Sequence, residues 1–484
     1  MRISFDEKKI TVVGLARSGV GAANLLAFLG AKVTVTDMKN QQQIDEFINA
    51  LNPEVSVVLG VHPPKLFESS DLIVVSPGVP SDIAPLRTAR ELGIRIIGEL
   101  ELAYEVLHSA FQGDCPGVLA VTGTNGKSTT TALLNEMLRC GNIRTLMGGN
   151  IGNSIAAEIL GLLQNPASAH GLQYIVLELS SFQLDTIDTF RPEGATILNV
   201  TPDHLDRYHQ MDAYVESKCR ISMNQRPADF IVLNADDPIT PGVVKIINAG
   251  RTPENVPSVF YFSRLQKVEG IYLDNGLLRL NLSPASLSRM QKRMNASVNG
   301  ALLDPETFII RGVHNVENAM AAALMAYLSG CGTDGIKKAL SSFPGLEHRL
   351  EFVRELDGVT YINDSKGTNV GAVLKSLEGF KERVILIAGG KDKDSDFTLL
   401  RPLLKEKARK VILVGAAAEK IGKAISDVVD CEMAGYDFGL AIARARATAS
   451  PGDVVLLSPA CASFDMFTDF EDRGREFKRM VLEL

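Results

Sequence analysis

The densest chemistry in the sequence is the run Thr122-Gly123-Thr124-Asn125-Gly126-Lys127-Ser128-Thr129. It follows a buried-strand pattern, Val118-Leu119-Ala120-Val121, and precedes a helical pattern expected to begin near Thr130. Glycines let a backbone curl until its N–H groups converge on phosphate oxygens, and a helix N-terminus adds positive potential there. In such a loop Lys127 reaches the outer phosphates, and Ser128 or Thr129 offers a hydroxyl to Mg²⁺. The pattern G-x-x-x-x-G-K-[ST] has a glycine where this chain has Val121, so the loop is a variant form.

Other polar clusters also follow strand patterns. Glu178-Leu179-Ser180-Ser181-Phe182-Gln183 puts a carboxylate where a hard-oxygen ligand for Mg²⁺ belongs, opposite a phosphate loop. Asn199-Val200-Thr201-Pro202-Asp203-His204-Leu205-Asp206 places a histidine among acids, a setting for proton transfer. Lys218 lies on a helical stretch, where a solvated lysine is the ordinary reading. His314-Asn315-Val316-Glu317-Asn318 opens a helix, which asparagine caps well. Near the N-terminus, Gly14-Leu15-Ala16-Arg17-Ser18-Gly19 is close to G-x-G-x-x-G, and Asp37 ends the next strand at ribose-binding spacing. Taken alone, that pair reads as a site for NAD.

The elements that must position these residues come in three α/β series. The first hundred residues alternate strands (Ile10–Val13, Lys32–Thr36, Asp71–Val75) with helical patterns, a doubly wound layout. A second series holds Tyr174–Leu177, Ala195–Leu198 and Phe230–Leu233. Residues 258–312 carry short β stretches (Ser258–Phe262, Gly270–Leu273, Thr307–Ile310), read as a small antiparallel subsheet. A third series holds Val359–Ile362, Val384–Ala388, Val411–Val414 and Val454–Leu457, after a hinge at Phe343-Pro344-Gly345. The expected domains are 1–106, 107–345 and 346–484: a Rossmann-like domain, a P-loop ATPase-like domain and a second Rossmann-like domain. At 484 residues the chain exceeds what one core supports.

Bulk properties exclude several partners. A net charge of −7 argues against nucleic acid, whose phosphates need a basic face. No apolar run approaches a membrane span. The six cysteines form no C-x-x-C pair, which favours reduced thiols in a cytoplasm.

Gly123 to Thr129 resembles the ATP loop of the Mur ligase family, and the later motifs agree in order. The resemblance spans nearly the whole chain, most weakly over 265–306. It implies an ATP- and Mg²⁺-dependent acid–amino-acid ligase that works through an acyl-phosphate, with two metal ions. It implies metal ligands at Ser128, Thr129, Glu178, His204 and Lys218, the lysine carbamylated by CO₂. ATP contacts would come from Gly123, Thr124, Asn125, Gly126, Lys127, Ser128, Thr129, Asn315, Asn318, Arg349, Asp364 and Lys366. Lys127, His204 and Lys218 would be the catalytic group. The first domain would hold UDP rather than NAD, through Gly14, Leu15, Ala16, Asp37, Ser76, Pro77 and Gly78, with Asn150, Ser180 and Gln183 toward the sugar-linked part.

The resemblance implies that the third domain selects the amino acid. Asn363-Asp364-Ser365-Lys366-Gly367-Thr368 has the form that D-glutamate-adding members show, and the Asp-Asn-Pro-Arg of diamino-acid-adding members is absent. A dicarboxylic amino acid needs an ammonium and hydroxyl donors, which Thr368, Lys393 and Ser463 offer, with Phe470 as a wall. The expected substrates are UDP-N-acetylmuramoyl-L-alanine and D-glutamate, handled by a cytoplasmic monomer. A sister ligase, including a folylpolyglutamate-synthase-like one, and an NAD-dependent oxidoreductase are the alternatives.

Overall fold

The structure, a computed structural model, describes residues 4–289, 300–303, 305, 308–310, 312–392 and 394–484. The chain forms two compact units, residues 1–307 with 317–341, and residues 308–316 with 342–484. The first unit holds two sheets and the second holds one.

The first sheet comprises β1 (Lys9–Val13), β2 (Lys32–Asp37), β3 (Ser56–Leu59), β4 (Leu72–Val75) and β5 (Ile96–Gly98), in the order β3-β2-β1-β4-β5. All its pairings are parallel. Runs such as Leu72-Ile73-Val74-Val75 are buried throughout because helices cover both faces. The order reverses at β1, which opens a crevice at the C-terminal ends of β1 and β4. The helix Glu99–Ala110 then leads into the second sheet.

That sheet comprises β6 (Gly117–Thr122), β7 (Thr145–Gly149), β8 (Tyr174–Glu178), β9 (Gly194–Ile197), β10 (Phe230–Asn234), β11 (Ser258–Ser263), β12 (Gly270–Asp274), β13 (Leu277–Asn281) and β14 (Gly300–Leu303). Its order is β14-β13-β12-β11-β10-β9-β6-β8-β7. The subsheet expected over 258–312 is not separate. Strands β11 and β12 continue the parallel sheet, and only the pairings of β12 with β13 and β13 with β14 are antiparallel. The strand expected at Thr307–Ile310 is absent over Phe308–Ile310, and Thr307 lies outside the described residues. The strand signal lay earlier, in the alternation Leu277-Leu278-Arg279-Leu280. Asn275 and Gly276, both at positive φ, turn the chain back into it as a two-residue hairpin.

The second unit carries β15 (Glu351–Leu356), β16 (Val359–Asn363), β17 (Val384–Gly389), β18 (Ala408–Val414), β19 (Cys431–Met433) and β20 (Val454–Ala460), in the order β15-β16-β20-β17-β18-β19. Strand β15, which the periodicity did not indicate, joins β16 as an antiparallel hairpin through Asp357 and Gly358, again both at positive φ. The remaining pairings of this sheet are parallel. No helix among the described residues is long and apolar enough to cross a membrane.

Candidate functional site

The phosphate loop leaves β6 at Thr122 and turns at Gly123 (φ +150°) and Gly126 (φ +84°). A Cβ on Gly126 would lie 2.2 Å from Asn318 Oδ1, so this position takes glycine for both its φ and its space. The helix begins at Lys127 rather than near Thr130, because the left-handed turn at Gly126 completes the loop sooner than the pattern suggests. Val121 stands where the longer pattern has glycine because that position is still inside the sheet. It is fully buried and pairs with Glu178 and Thr196.

The loop is fastened to its neighbour. Asn199 accepts from Asn125 N (2.9 Å) and donates to Asn125 O (3.1 Å), as a second backbone would. Thr124 N donates to Asn199 O, Thr201 N to Thr124 Oγ1, and the Tyr214 hydroxyl lies 3.2 Å from Thr124 Oγ1. The segment bearing His204 is thereby fixed to the phosphate loop. His204 itself sits at φ +53°, a left-handed conformation uncommon for a non-glycine residue. Its half-exposed ring lies edge-on to Phe182 at 4.8 Å, with Asp203 Oδ2 3.6 Å from Nε2.

Two lysines converge on one carbonyl. Lys127 Nζ donates to Gly123 O (2.9 Å) and Thr124 O (2.8 Å). Lys218 Nζ, on the helix Met211–Cys219, donates to the same Gly123 O at 2.9 Å and lies 4.5 Å from the Tyr214 ring centre. Lys218 is 1 % exposed. Burial, then the charge of Lys127, holds its pKa well below the ordinary lysine value. A lowered pKa brings the neutral, nucleophilic form of a lysine amine within easier reach.

Glu178 ends β8, in register with Val121 of β6, and is 2 % exposed. Its Oε1 accepts from Asn150 Nδ2 at 2.8 Å, while Oε2 is buried and has no hydrogen-bond partner. Thr129 Oγ1 on the phosphate loop is in the same condition. Buried polar atoms are normally satisfied. Two open oxygens, one at the end of β8 and one in the first turn of the helix after the phosphate loop, are the chemistry a Mg²⁺ ion takes, so the donor set fits one.

The first crevice is built differently. Asp37 accepts from Leu15 N (2.7 Å) and Lys39 N (2.8 Å), so its carboxylate braces the glycine turn. Ser76 Oγ donates to Gly14 O at 2.8 Å, and Gly14 is at φ +91°. A Cβ on Gly19 would lie 2.0 Å from Gly14 O. Ala16 is exposed at the helix start, and Gly78 has open space around it. Arg207 donates to Pro77 O (2.8 Å) and stacks on Phe182, linking this crevice to the His204 segment. Ser180 and Gln183 form a capping box at the start of Ser181–Leu184, so their side chains hold each other.

In the second unit, Asp364 faces inward. Its Oδ2 accepts from Ser458 Oγ (2.6 Å) and Ser376 Oγ (2.7 Å), and Oδ1 from Leu350 N (3.3 Å). Burial raises its pKa, against those hydrogen bonds. Asp364 thus fastens the segment that contains Arg349, whose Nε is buried with no hydrogen-bond partner. Lys366 Nζ lies 5.1 Å from the Phe470 ring centre, and Thr368 N donates to Lys366 O. Arg473, 2 % exposed, donates to Ser365 Oγ, Ser365 O and Cys461 O, clamping the loop after β16 to the loop that holds buried Ser463. Asn315 is buried near the start of the helix Val313–Leu328, and Asn318 reaches the phosphate loop as described. Lys393 lies outside the described residues.

Sequence reasoning missed Asn199, Tyr214 and Arg473 as site builders. Asn199 and Tyr214 stood inside segments already singled out, and Arg473 carried no signal because its partners are backbone and hydroxyl atoms about a hundred residues away or on another loop.

Comparison with known proteins agrees over the length of the chain. Residues 8–98 match the family described as Mur ligase MurD-like, N-terminal domain. Residues 121–326 match the Mur ligase middle domain, and 348–461 the Mur ligase, glutamate ligase domain. The chain is 42 % identical over 479 residues to the UDP-N-acetylmuramoylalanine–D-glutamate ligase of Geotalea daltonii, covering 99 % of this chain and 98 % of that one. It is 41 % identical over 489 residues to the enzyme of the same name from Pelotomaculum thermopropionicum, with the same coverage. Among solved structures it is similar in fold to UDP-N-acetylmuramate-alanine ligase MurC of Thermotoga maritima (TM-score 0.58, 18 % identity, 99 % of this chain and 100 % of that one). MurF of Acinetobacter baumannii is similar too (TM-score 0.58, 16 % identity, 98 % and 91 %).

Proposed function

The chain belongs to the Mur ligase family, and on that premise we propose how its residues perform the reaction. It is an ATP-dependent ligase that adds D-glutamate to UDP-N-acetylmuramoyl-L-alanine in peptidoglycan synthesis. The carboxylate of the alanyl substrate attacks the γ-phosphate of ATP, giving an acyl-phosphate and ADP. The amine of D-glutamate attacks that acyl group, and a tetrahedral intermediate collapses to the amide and phosphate. Phosphoryl transfer of this kind is catalysed by positioning and charge stabilisation.

The observation that carries the assignment of roles is the shared Gly123 carbonyl, with Lys127 and Lys218 both upon it. Lys127 exchanges its two loop carbonyls for phosphate oxygens when ATP binds, and its charge then follows the transferred phosphoryl group. Lys218, whose pKa burial and then Lys127 hold well below the ordinary lysine value, is suited to carbamylation by CO₂, which would convert it to a carboxylate beside the phosphate loop. Ser128 or Thr129, Glu178, His204 and the carbamylated Lys218 would hold two Mg²⁺ ions. Bound Mg²⁺ neutralises charge on the phosphates during transfer. The incoming amine gives its proton to His204 or to a nearby acid such as Asp203. Asn315, Asn318, Arg349 and Lys366 are read as ATP contacts, with Asp364 fastening the segment that bears Arg349. Thr368, Lys393, Ser463 and Phe470 are read as the D-glutamate pocket. The crevice around Gly14, Leu15, Ala16, Asp37, Ser76, Pro77 and Gly78 is read as the UDP site, with Asn150, Ser180 and Gln183 toward the sugar. The enzyme acts as a monomer in the cytoplasm, where ATP is available, a reading that its six unpaired cysteines support.

Phosphate release with UDP-N-acetylmuramoyl-L-alanine tests the whole reading. D-Glutamate should support it, and L-glutamate, L-alanine and lysine should not. Equal turnover with another amino acid would reassign the pocket, and no ADP with any of them would remove the ligase reading.

A further inference from the structure

The helix Glu99–Ala110 begins with two buried acids in one turn, and they are unequal. The Glu101 carboxylate, 0 % exposed, accepts from Asp188 N, Thr189 N, Phe190 N and Thr189 Oγ1, all at 3.0 Å or less. Glu99, 2 % exposed, accepts from Ala156 N at 2.6 Å and from the Ser154 hydroxyl, and its Oε2 is buried with no hydrogen-bond partner. Glu101 is a completed anchor. Glu99 is a carboxylate placed on the N-terminus of the ten-residue helix Ile155–Gln164, where its charge meets the helix dipole and a backbone donor.

What Glu99 holds is the end of the loop Asn150–Ser154. That loop is tied at its other end to the site already described, since Asn150 N donates to Glu178 O and Asn150 Nδ2 to Glu178 Oε1. Between the two ends, Arg17 donates to Gly152 O, and Gly149 N to Asn153 O. Gly21 packs against Ser154 so closely that a Cβ there would lie 2.1 Å from Ser154 Oγ. The backbone from Ala156, Glu99's partner, back to Asn150 is seven residues of short, cross-braced chain.

We propose that Glu99 is a positioning residue for the nucleotide-linked substrate: its ionised carboxylate fixes the start of Ile155–Gln164, and through the loop before it sets Asn150 against Glu178. The proposal rests on reading Asn150 as a contact to that substrate. Burial raises the Glu99 carboxyl to about 7, opposed by the Ala156 N–H and the Ser154 hydroxyl. Charged groups on the elements packed around it are directed elsewhere. Glu101 holds the Asp188–Phe190 backbone, Glu158 accepts from Asn153, Arg17 reaches Gly152, Arg95 pairs with Glu105 and Asp188, and Asp185 accepts from Ser217 and Tyr208. The positioning is therefore proton-linked: it is complete above about pH 7 and is lost as the pH falls below it.

The test is KM for UDP-N-acetylmuramoyl-L-alanine between pH 6 and pH 8, with saturating ATP and D-glutamate, for the full-length parent, Glu99→Gln and Ser154→Ala. The parent's KM should rise about tenfold from pH 8 to pH 6, as one proton on one group dictates. Glu99→Gln should show the high value at every pH, with KM for ATP within about twofold of the parent. Ser154→Ala removes a donor that favours the ionised carboxyl, so its inflection should move to higher pH. A parent KM flat across this range overturns the proposal, as does Glu99→Gln retaining the parent's pH dependence, or an unmoved inflection in Ser154→Ala should Glu99→Gln not fold. A parent that forms no ADP at any pH would instead fail the ligase reading on which the proposal rests.

Discussion

The first unit contains two glycine-rich turns, each leaving a parallel strand and entering a helix, and their chemistry is opposite. In the turn Gly14–Gly19 a neighbouring carboxylate, Asp37, takes the Leu15 N–H, and Ser76 takes the Gly14 carbonyl. The turn is braced by its neighbours. In the turn Gly123–Lys127 the brace is a neutral amide, Asn199, and two lysines crowd the Gly123 carbonyl. Next to it, Glu178 and Thr129 each keep a buried oxygen without a partner. Two loops with the same local fold are thus equipped differently, in keeping with the two roles proposed for them, by what the adjacent elements bring.

That contrast can be broken at either turn. The largest effect is expected from Lys127→Ala, which should lower ligation and ATP turnover together by about a thousandfold, as loss of a charge aimed at the transition state does. Normal ATP turnover in that variant would remove the phosphate-loop role. Lys218→Ala should lose about a hundredfold or more in kcat and recover part of it when a short carboxylic acid is added, as expected when a charge-stabilising ligand is returned. Absence of recovery would leave the lysine as a plain cation. Asn199→Ala removes two hydrogen bonds that shape the phosphate loop, and should raise KM for ATP about thirtyfold at roughly 1 kcal/mol each, leaving KM for the nucleotide-linked substrate unchanged. Asp37→Ala should do the reverse, raising KM for that substrate by about fivefold, chiefly through the lost charge-assisted bond to the Leu15 N–H of the turn. If both variants shifted both constants, the two turns would not be separate sites.

The smallest effect concerns stability. Glu99 is held above the ordinary carboxylate range, so its ionisation disfavours the fold. That penalty is absent below the ordinary range, grows as pH rises to about 7 and is constant above it. Glu99→Gln should therefore melt at or slightly above the parent at pH 8, by about 2 °C, and a lower Tm would mark the residue as a structural anchor like Glu101.

Much of this was legible in the residues. Unbroken runs such as Val384-Ile385-Leu386-Ile387 can only be strands buried on both faces, so the sheets were readable. Antiparallel additions were harder, because Asn275-Gly276 and Asp357-Gly358 are short turns whose strands carry weak alternation. Lys127 declared itself by its glycines. Lys218 did not, since a lysine on a helix is ordinarily solvated, and only the fold shows it 1 % exposed with its amine on Gly123. Asp364 stood in a polar segment that suggested a ligand contact, while the structure directs its oxygens to Ser458, Ser376 and Leu350.

The sequence by itself determined the long parallel strands of the three sheets, the glycines of the two phosphate-type turns, and which residue types arrive at those strand ends, because these depend on periodicity and local sterics. The tertiary structure alone decided which of those residues are ionised, partnered or left open. Protonation and hydrogen-bond satisfaction depend on burial and on neighbours tens to hundreds of residues away. That is why the pKa of Lys218 is held well below the ordinary lysine value and Glu178 keeps an open oxygen, while Glu99 and Glu101, two residues apart on one helix, behave as different chemical groups.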